Sequence, residues 1–99
     1  MNNYSTIDKE LARAAVILSS PARIQILSML SVDKEVIFNH IKDKLPLVKS
    51  TVWQHMNLMR DAKVINLRNE GKTVYCSINS EVWDRYYAGF LDLFGRHSN

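Results

Sequence analysis

Pro46 sets the terms for what this chain can fold into. Before it, Asn39 to Leu45 places Ile41 and Leu45 a helical turn apart. After it, the stretch STVWQHMNLMR, residues 50 to 60, lines up Val52, Met56 and Met59 on one edge. Proline has no N–H and biases its predecessor away from the helical region, so a helix must stop at Leu45. The next one, about Lys49 to Ala62, starts only a few residues on, which is the spacing of a helix-turn-helix pair.

The rest of the chain supplies a frame for that pair. Ser5 or Thr6 can cap a first helix in which Ile7, Leu11, Ala14, Ala15 and Leu18 recur at helical spacing. Ser20 and Pro21 stand at the N-cap and first position of a second helix rich in Ile24, Ile26, Leu27, Met29 and Leu30. Val36, Ile37 and Phe38 form a short β-prone run, after which Asn39 caps the third helix. Residues 64 to 78 read as a hairpin around Asn69-Glu70-Gly71-Lys72, with Gly71 supplying the positive φ of the turn. Ser80 caps a last helix running from Glu81 to about Arg96. The expected fold is mainly α with a small β-hairpin: a winged helix-turn-helix with an added helix at each end. The helix-turn-helix covers about residues 39–62, the wing about 63–78, and the terminal helices about 6–18 and 81–97.

Ninety-nine residues, 46% hydrophobic and 23% charged, suit one globular domain with a core of its own. No run of about 18 apolar residues exists to cross a membrane, and the first ten residues lack the pattern of a secretory signal. A single cysteine forms no internal disulfide, so a reducing cytoplasm is the expected setting. Net charge is +3, unevenly spread: Lys42, Lys44, Lys49, Arg60, Lys63, Arg68 and Lys72 face only Asp43, Asp61 and Glu70 within one 31-residue stretch. A basic stripe on a near-neutral body is what phosphate binding requires, although a solvated surface has the same composition.

Three segments in this order resemble the ArsR-type family of small dimeric transcription repressors. SSPARIQILSML is similar to that family's Asp-Pro-x-Arg-x-x-Ile-Leu, LVKSTVWQHMNLMRDAKVI to its recognition helix, and NEGKTVYCSIN to its wing; the match runs ungapped from about Ser19 to Ile78. Three departures stand out. Val48 replaces the serine that would cap the recognition helix, weakening that cap by roughly 1 kcal/mol. Trp53 replaces a small polar residue, and Lys63 stands where a glycine would end the helix. The resemblance implies a homodimeric repressor that binds a pseudo-palindromic operator and acts by blocking polymerase access. It does not extend to the family's metal sites. The third-helix positions are Ile37 and Asn39, and the last-helix positions are Ser80, Val82, Leu93 and Arg96. The remaining His40, His55, His97 and Cys76 have no ligand spacing, so neither metal nor other cofactor is expected.

On the fourth helix, Ser50, Trp53, Gln54, Asn57 and Arg60 fall within one arc opposite the apolar edge. Glutamine and asparagine pair with adenine edges, serine with bases or phosphates, and lysine or arginine with phosphates. The expected DNA contacts are Lys49, Ser50, Thr51, Trp53, Gln54, His55, Asn57 and Arg60, with Arg68 and Lys72 on the wing and Lys42 and Lys44 adding charge. Trp53 has three readings: packing on thymine methyls or deoxyribose, shielding by the wing or third helix, or anchoring a protein partner. Arg23 reaches either a phosphate or a neighbouring acid. The last helix carries more aromatics than one face can bury. Ile7, Leu11 and Ala15 on the first helix, with Trp83, Tyr86, Tyr87, Phe90 and Phe94 on the last, are therefore expected to form the interface with a second copy. The partners are thus double-stranded DNA and self, with no membrane, and any small-molecule inducer is left open. The alternative function is a protein-interaction module that uses Trp53 and the aromatic helix. With no nucleophile–base pair, paired carboxylates or glycine-rich phosphate loop, the chain does not read as an enzyme.

Overall fold

The computed structural model describes residues 3–30 and 35–95. Five helices and three strands follow in the order α1 (Thr6–Ile17), α2 (Pro21–Met29), β1 (Val36–Ile37), α3 (Phe38–Lys44), α4 (Lys49–Asp61), β2 (Ile65–Glu70), β3 (Thr73–Ile78) and α5 (Ser80–Gly95). This is the winged helix-turn-helix with a helix at each end.

Local chemistry explains most of the boundaries. Ser5 caps α1 in a reciprocal box: its hydroxyl accepts from the Asp8 N–H, and the Asp8 carboxylate accepts from the Ser5 N–H, both at 3.1 Å. Ser20 accepts from the Arg23 N–H, and Pro21 begins α2. The cap of the third helix lies two residues before the expected one. Ile37 is its N-cap and makes no side-chain bond there, so Asn39 lies inside the first turn and caps nothing. The reason is β1, which holds residues 36 and 37 extended against β3 and fixes where the helix can begin. Similarly, Ser80 is the first residue of α5 rather than its cap, and Asn79 before it donates its side chain to the Lys63 carbonyl at 2.8 Å. The expected end of that helix at Arg96, and His97 beyond it, lie outside the described residues.

Helix α4, the expected recognition helix, ends in a tight closure. The Lys63 N–H donates to the Arg60 carbonyl at 2.8 Å and the Val64 N–H to the Met59 carbonyl at 3.0 Å, the bonding of a Schellman motif. That motif needs a left-handed residue, and Lys63 takes the role with φ +64. In the wing, β2 and β3 pair antiparallel from Ile65↔Ile78 to Glu70↔Thr73, leaving a two-residue turn. Gly71 has φ +61 and Lys72 keeps a negative φ, the pattern of a type II′ hairpin.

The sheet order is β1-β3-β2, so the run leading into α3 forms the outer edge beside the wing. Val36, Leu67 and Cys76 lie in one row on the core face. They close over a core of Ile17, Ile26, Ile41, Val52, Met56, Met59, Val64 and Ile65. Burial pushes the Cys76 thiol up to about 11 and leaves it an inert small hydrophobe.

Candidate nucleic-acid interface

The recognition helix divides as its sequence arc predicts. Val52, Met56 and Met59 are fully buried, while Ser50 and Gln54 are exposed and Thr51 and Asn57 half-buried beside them. None of these four polar side chains makes a hydrogen bond to another described residue. A solvated helix face would satisfy itself with water. It is equally a row of open donors and acceptors for base edges. Val48 is the N-cap and makes no side-chain bond, so the first turn of α4 has the weak cap its sequence implies.

Trp53 does not project freely. Its ring stacks on Phe38, the first residue of α3, with centroids 4.1 Å apart and planes at 17°. Of its three readings, shielding by the third helix is the arrangement found. The pair bolts the start of α3 to the first turns of α4, and the outer surface of the indole stays at the rim of the helix-turn-helix.

Half-buried Arg23 pairs with no acid among the described residues and is turned onto the end of α1. Its Nε donates to the Ile17 carbonyl at 2.9 Å and its Nη2 to the Val16 carbonyl at 2.8 Å, both at the C-terminal end of α1. Its Nη1 lies 3.1 Å from Nδ1 of His55 on α4. A guanidinium can only donate, so the imidazole accepts at Nδ1 and carries its proton on Nε2. Desolvation, aided by the Arg23 charge, holds the His55 pKa below its usual value. His55 is thus a neutral, half-buried residue that ties the recognition helix to the first two helices.

The basic stripe is less free than its composition suggests. Lys42 pairs with Asp43 and Arg60 with Asp61, each at 3.4 Å. Arg68 is fully committed. Its guanidinium forks onto the Glu35 carboxylate at 2.8 to 3.1 Å, bonds Glu70 at 2.6 Å, and lies 4.3 Å over the Tyr75 ring. It holds the Glu35 carboxyl below the usual carboxylate range, and both acids raise its own pKa. Arg68, expected to contact DNA, laces the outer face of the sheet in the unbound chain, because Glu35 lies across the central strand from it. That partner is 33 residues away in sequence, and no local pattern points to it. Lys44, Lys49, Lys63 and Lys72 have no acid within ion-pair reach among the described residues.

The terminal helices meet closely. A Cβ at Gly89 of α5 would stand 3.0 Å from Cδ2 of Leu11 on α1, so glycine permits that approach. Two aromatics expected at a dimer interface face inward instead. Trp83 donates its indole N–H to the Val64 carbonyl at 3.0 Å, and Tyr86 is 3% exposed with its ring edge-on to Trp83. A buried indole N–H needs an acceptor, and the carbonyl just past the α4 closure supplies one. Phe90 is half-buried and stacks on Phe94. Ile7, Ala15, Tyr87, Leu91 and Phe94 remain exposed, with Leu11 half-buried. An open groove of about 280 Å³ runs between Ile7, Leu11 and Gly89.

Among the described residues no three His, Cys, Asp or Glu side chains gather as a metal centre, and no helix is long and apolar enough to cross a membrane.

No protein-family model matches the chain. It is 33% identical over 81 residues to the transcriptional activator HlyU of Vibrio cholerae, covering 79% of this chain and 74% of that protein. It is 30% identical over 76 residues to the HTH-type transcriptional regulator YceK of Bacillus subtilis, covering 76% of each. Its fold is similar to the crystal structure of an ArsR family transcriptional regulator, with a TM-score of 0.80 at 17% identity over 100% of this chain and 99% of that one.

Proposed function

This chain belongs to the ArsR family of winged-helix transcriptional regulators, and from that premise we propose that it binds a pseudo-palindromic operator as a homodimer in the cytoplasm and represses by occlusion. One observation carries the reading. Ser50, Thr51, Gln54 and Asn57 stand together on the recognition helix with no side-chain partner among the described residues, beside lysines that no described acid neutralises. In this reading Gln54 and Asn57 meet base edges in the major groove, Ser50 and Thr51 contact bases or backbone, and Lys44, Lys49 and Lys72 supply affinity.

Two copies related by a twofold axis present two such helices to half-sites about one turn, roughly 34 Å, apart. The exposed Ile7, Ala15, Tyr87, Leu91 and Phe94 are the surface proposed to join them, with Leu11 and Phe90 beneath. Whether such a dimer represses or activates depends on where its operator lies relative to the promoter, and a promoter fusion reads that sign directly.

The test is selection of duplexes from a random pool by the purified protein, followed by fluorescence anisotropy on the enriched sequence and a scrambled one. The expected preference is ~10³-fold or more, with affinity falling steeply as salt rises. Equal, weak binding to both duplexes overturns the proposal.

A further inference from the structure

We propose that one backbone phosphate of the bound duplex is seated in the notch between α4 and the wing, held jointly by Lys49 and Lys72. The inference rests on the DNA-binding reading above and adds to it a single shared anion seat. The notch encloses about 120 Å³. That is well under the roughly 300–1,000 Å³ of a small-molecule pocket and amounts to a few water volumes of ~30 Å³ each. Three parts of the fold wall it: Lys49 at the first position of α4, Asn39 in α3, and Lys72 with Thr73 at the hairpin turn and the start of β3. The stacked Phe38 and Trp53 form its apolar side.

Each polar side chain among the residues lining the notch (Asn39, Lys49, Lys72 and Thr73) carries a donor for an anion, and none of the described lining residues is a carboxylate. The stripe's other cations show why this matters. Lys42, Arg60 and Arg68 are each answered by an acid, whereas Lys49 and Lys72 line the same small space with no acid partner among the described residues. Ammonium groups brought together at one notch repel each other, and an anion between them offsets that repulsion.

Duplex geometry places an anion there. With the recognition helix in the major groove and the wing at the adjacent minor groove, the sugar-phosphate strand dividing the grooves crosses the junction of helix and wing. The notch is that junction. A phosphate between the lysines also lays the neighbouring deoxyribose toward the Trp53 and Phe38 side. Trp53 would then serve DNA binding by shaping the seat and not by reading a base.

A walk of single methylphosphonate linkages along the enriched duplex tests this, each linkage removing one backbone charge. Anisotropy is read for the wild type, Lys49→Gln, Lys72→Gln and the double variant, which keep the side-chain stems and should melt as the wild type does. At one linkage, neutralisation should weaken the wild type about 10-fold, weaken each single variant less, and leave the double variant unaffected. All other linkages should keep their full effect in every variant. If the two lysines lose sensitivity at different linkages, they hold separate phosphates and the shared seat is wrong. If the variants stay fully sensitive everywhere, the notch binds no phosphate. If the wild type enriches no duplex, the DNA-binding reading falls first and the seat with it.

Discussion

Nη1 of Arg23 lies 3.1 Å from Nδ1 of His55, joining the helix pair that precedes the DNA-facing unit to the recognition helix itself. The contact exists only while the imidazole is neutral, since a protonated ring would turn a second donor toward the guanidinium. Burial and the Arg23 charge hold the folded pKa of His55 below the ordinary 6.5.

A pH dependence of stability follows. Below about pH 6.5 the unfolded chain takes up a proton on His55 that the folded chain resists. The stabilisation is therefore complete above that pH and is lost as pH falls toward the lowered folded value. Urea unfolding at about pH 7.5 and about pH 5.5 should show the wild type losing more stability across that interval than His55→Gln. Equal losses would show that His55 does not carry the effect.

Trp53→Ala removes one partner of the Phe38 stack and opens a gap between α3 and α4. Full burial of a tryptophan costs about 3–5 kcal/mol when truncated, and a half-buried one should cost roughly 2 kcal/mol. Trp53→Phe preserves a stacked ring and should recover more than half of that. Thermal melts of the two variants distinguish a packing role from none, because an indole that packed on nothing would leave both melts near the wild type.

Lys63 carries a backbone conformation that costs an L-residue about 1–2 kcal/mol, offset in part by the smaller folding entropy of a non-glycine residue. Lys63→Gly should therefore raise stability by about 0.5–1 kcal/mol in chemical denaturation while leaving the α4 closure intact. Destabilisation by the glycine would mean that the lysine side chain makes a contribution larger than the strain.

The exposed apolar residues of α5 predict how the chain associates. Leu91→Glu or Phe94→Glu places a carboxylate on the surface proposed for the partner and should shift micromolar protein to monomer in light scattering. The same variants should lose operator affinity by about 100-fold or more, since one half-site then binds alone. Leu93→Glu, at a less exposed position of the same helix, serves as the comparison. Monomeric wild type at those concentrations would remove the interface.

How much of this was legible in the sequence follows the range of the interactions. Ser5 with Asp8, Ser20 with Pro21, Gly71 in its turn and the apolar edge of α4 are decided within a few residues. Periodicity and cap chemistry therefore locate them. Lys63 is the exception among local features: a lysine in place of the family's glycine suggests a different turn, yet the left-handed closure forms with φ +64. The misplacements came from contacts that only folding creates. Asn39 lost its capping role to a strand pairing with β3, 36 and 37 opposite 76 and 75. Trp83 turned inward to a carbonyl 19 residues back, and Arg68 to a carboxylate 33 residues back. An aromatic count on a helix measures apolar surface but not which side the rings take. A count of lysines and arginines likewise measures charge but not how much of it remains available.

The lacing of the wing has a mechanical consequence. β1 pairs with the hairpin and runs straight into α3, and the Arg68 fork spans the sheet from β2 to the residue before β1. Hairpin and recognition helix are thus linked through β1, α3 and the Phe38–Trp53 stack, like two jaws of one caliper. In the proposed complex such a frame would favour a duplex whose grooves match its opening, and one too wide or too narrow at the wing would have to bend to fit. Operators of this protein should differ in flexibility at base pairs that no side chain touches.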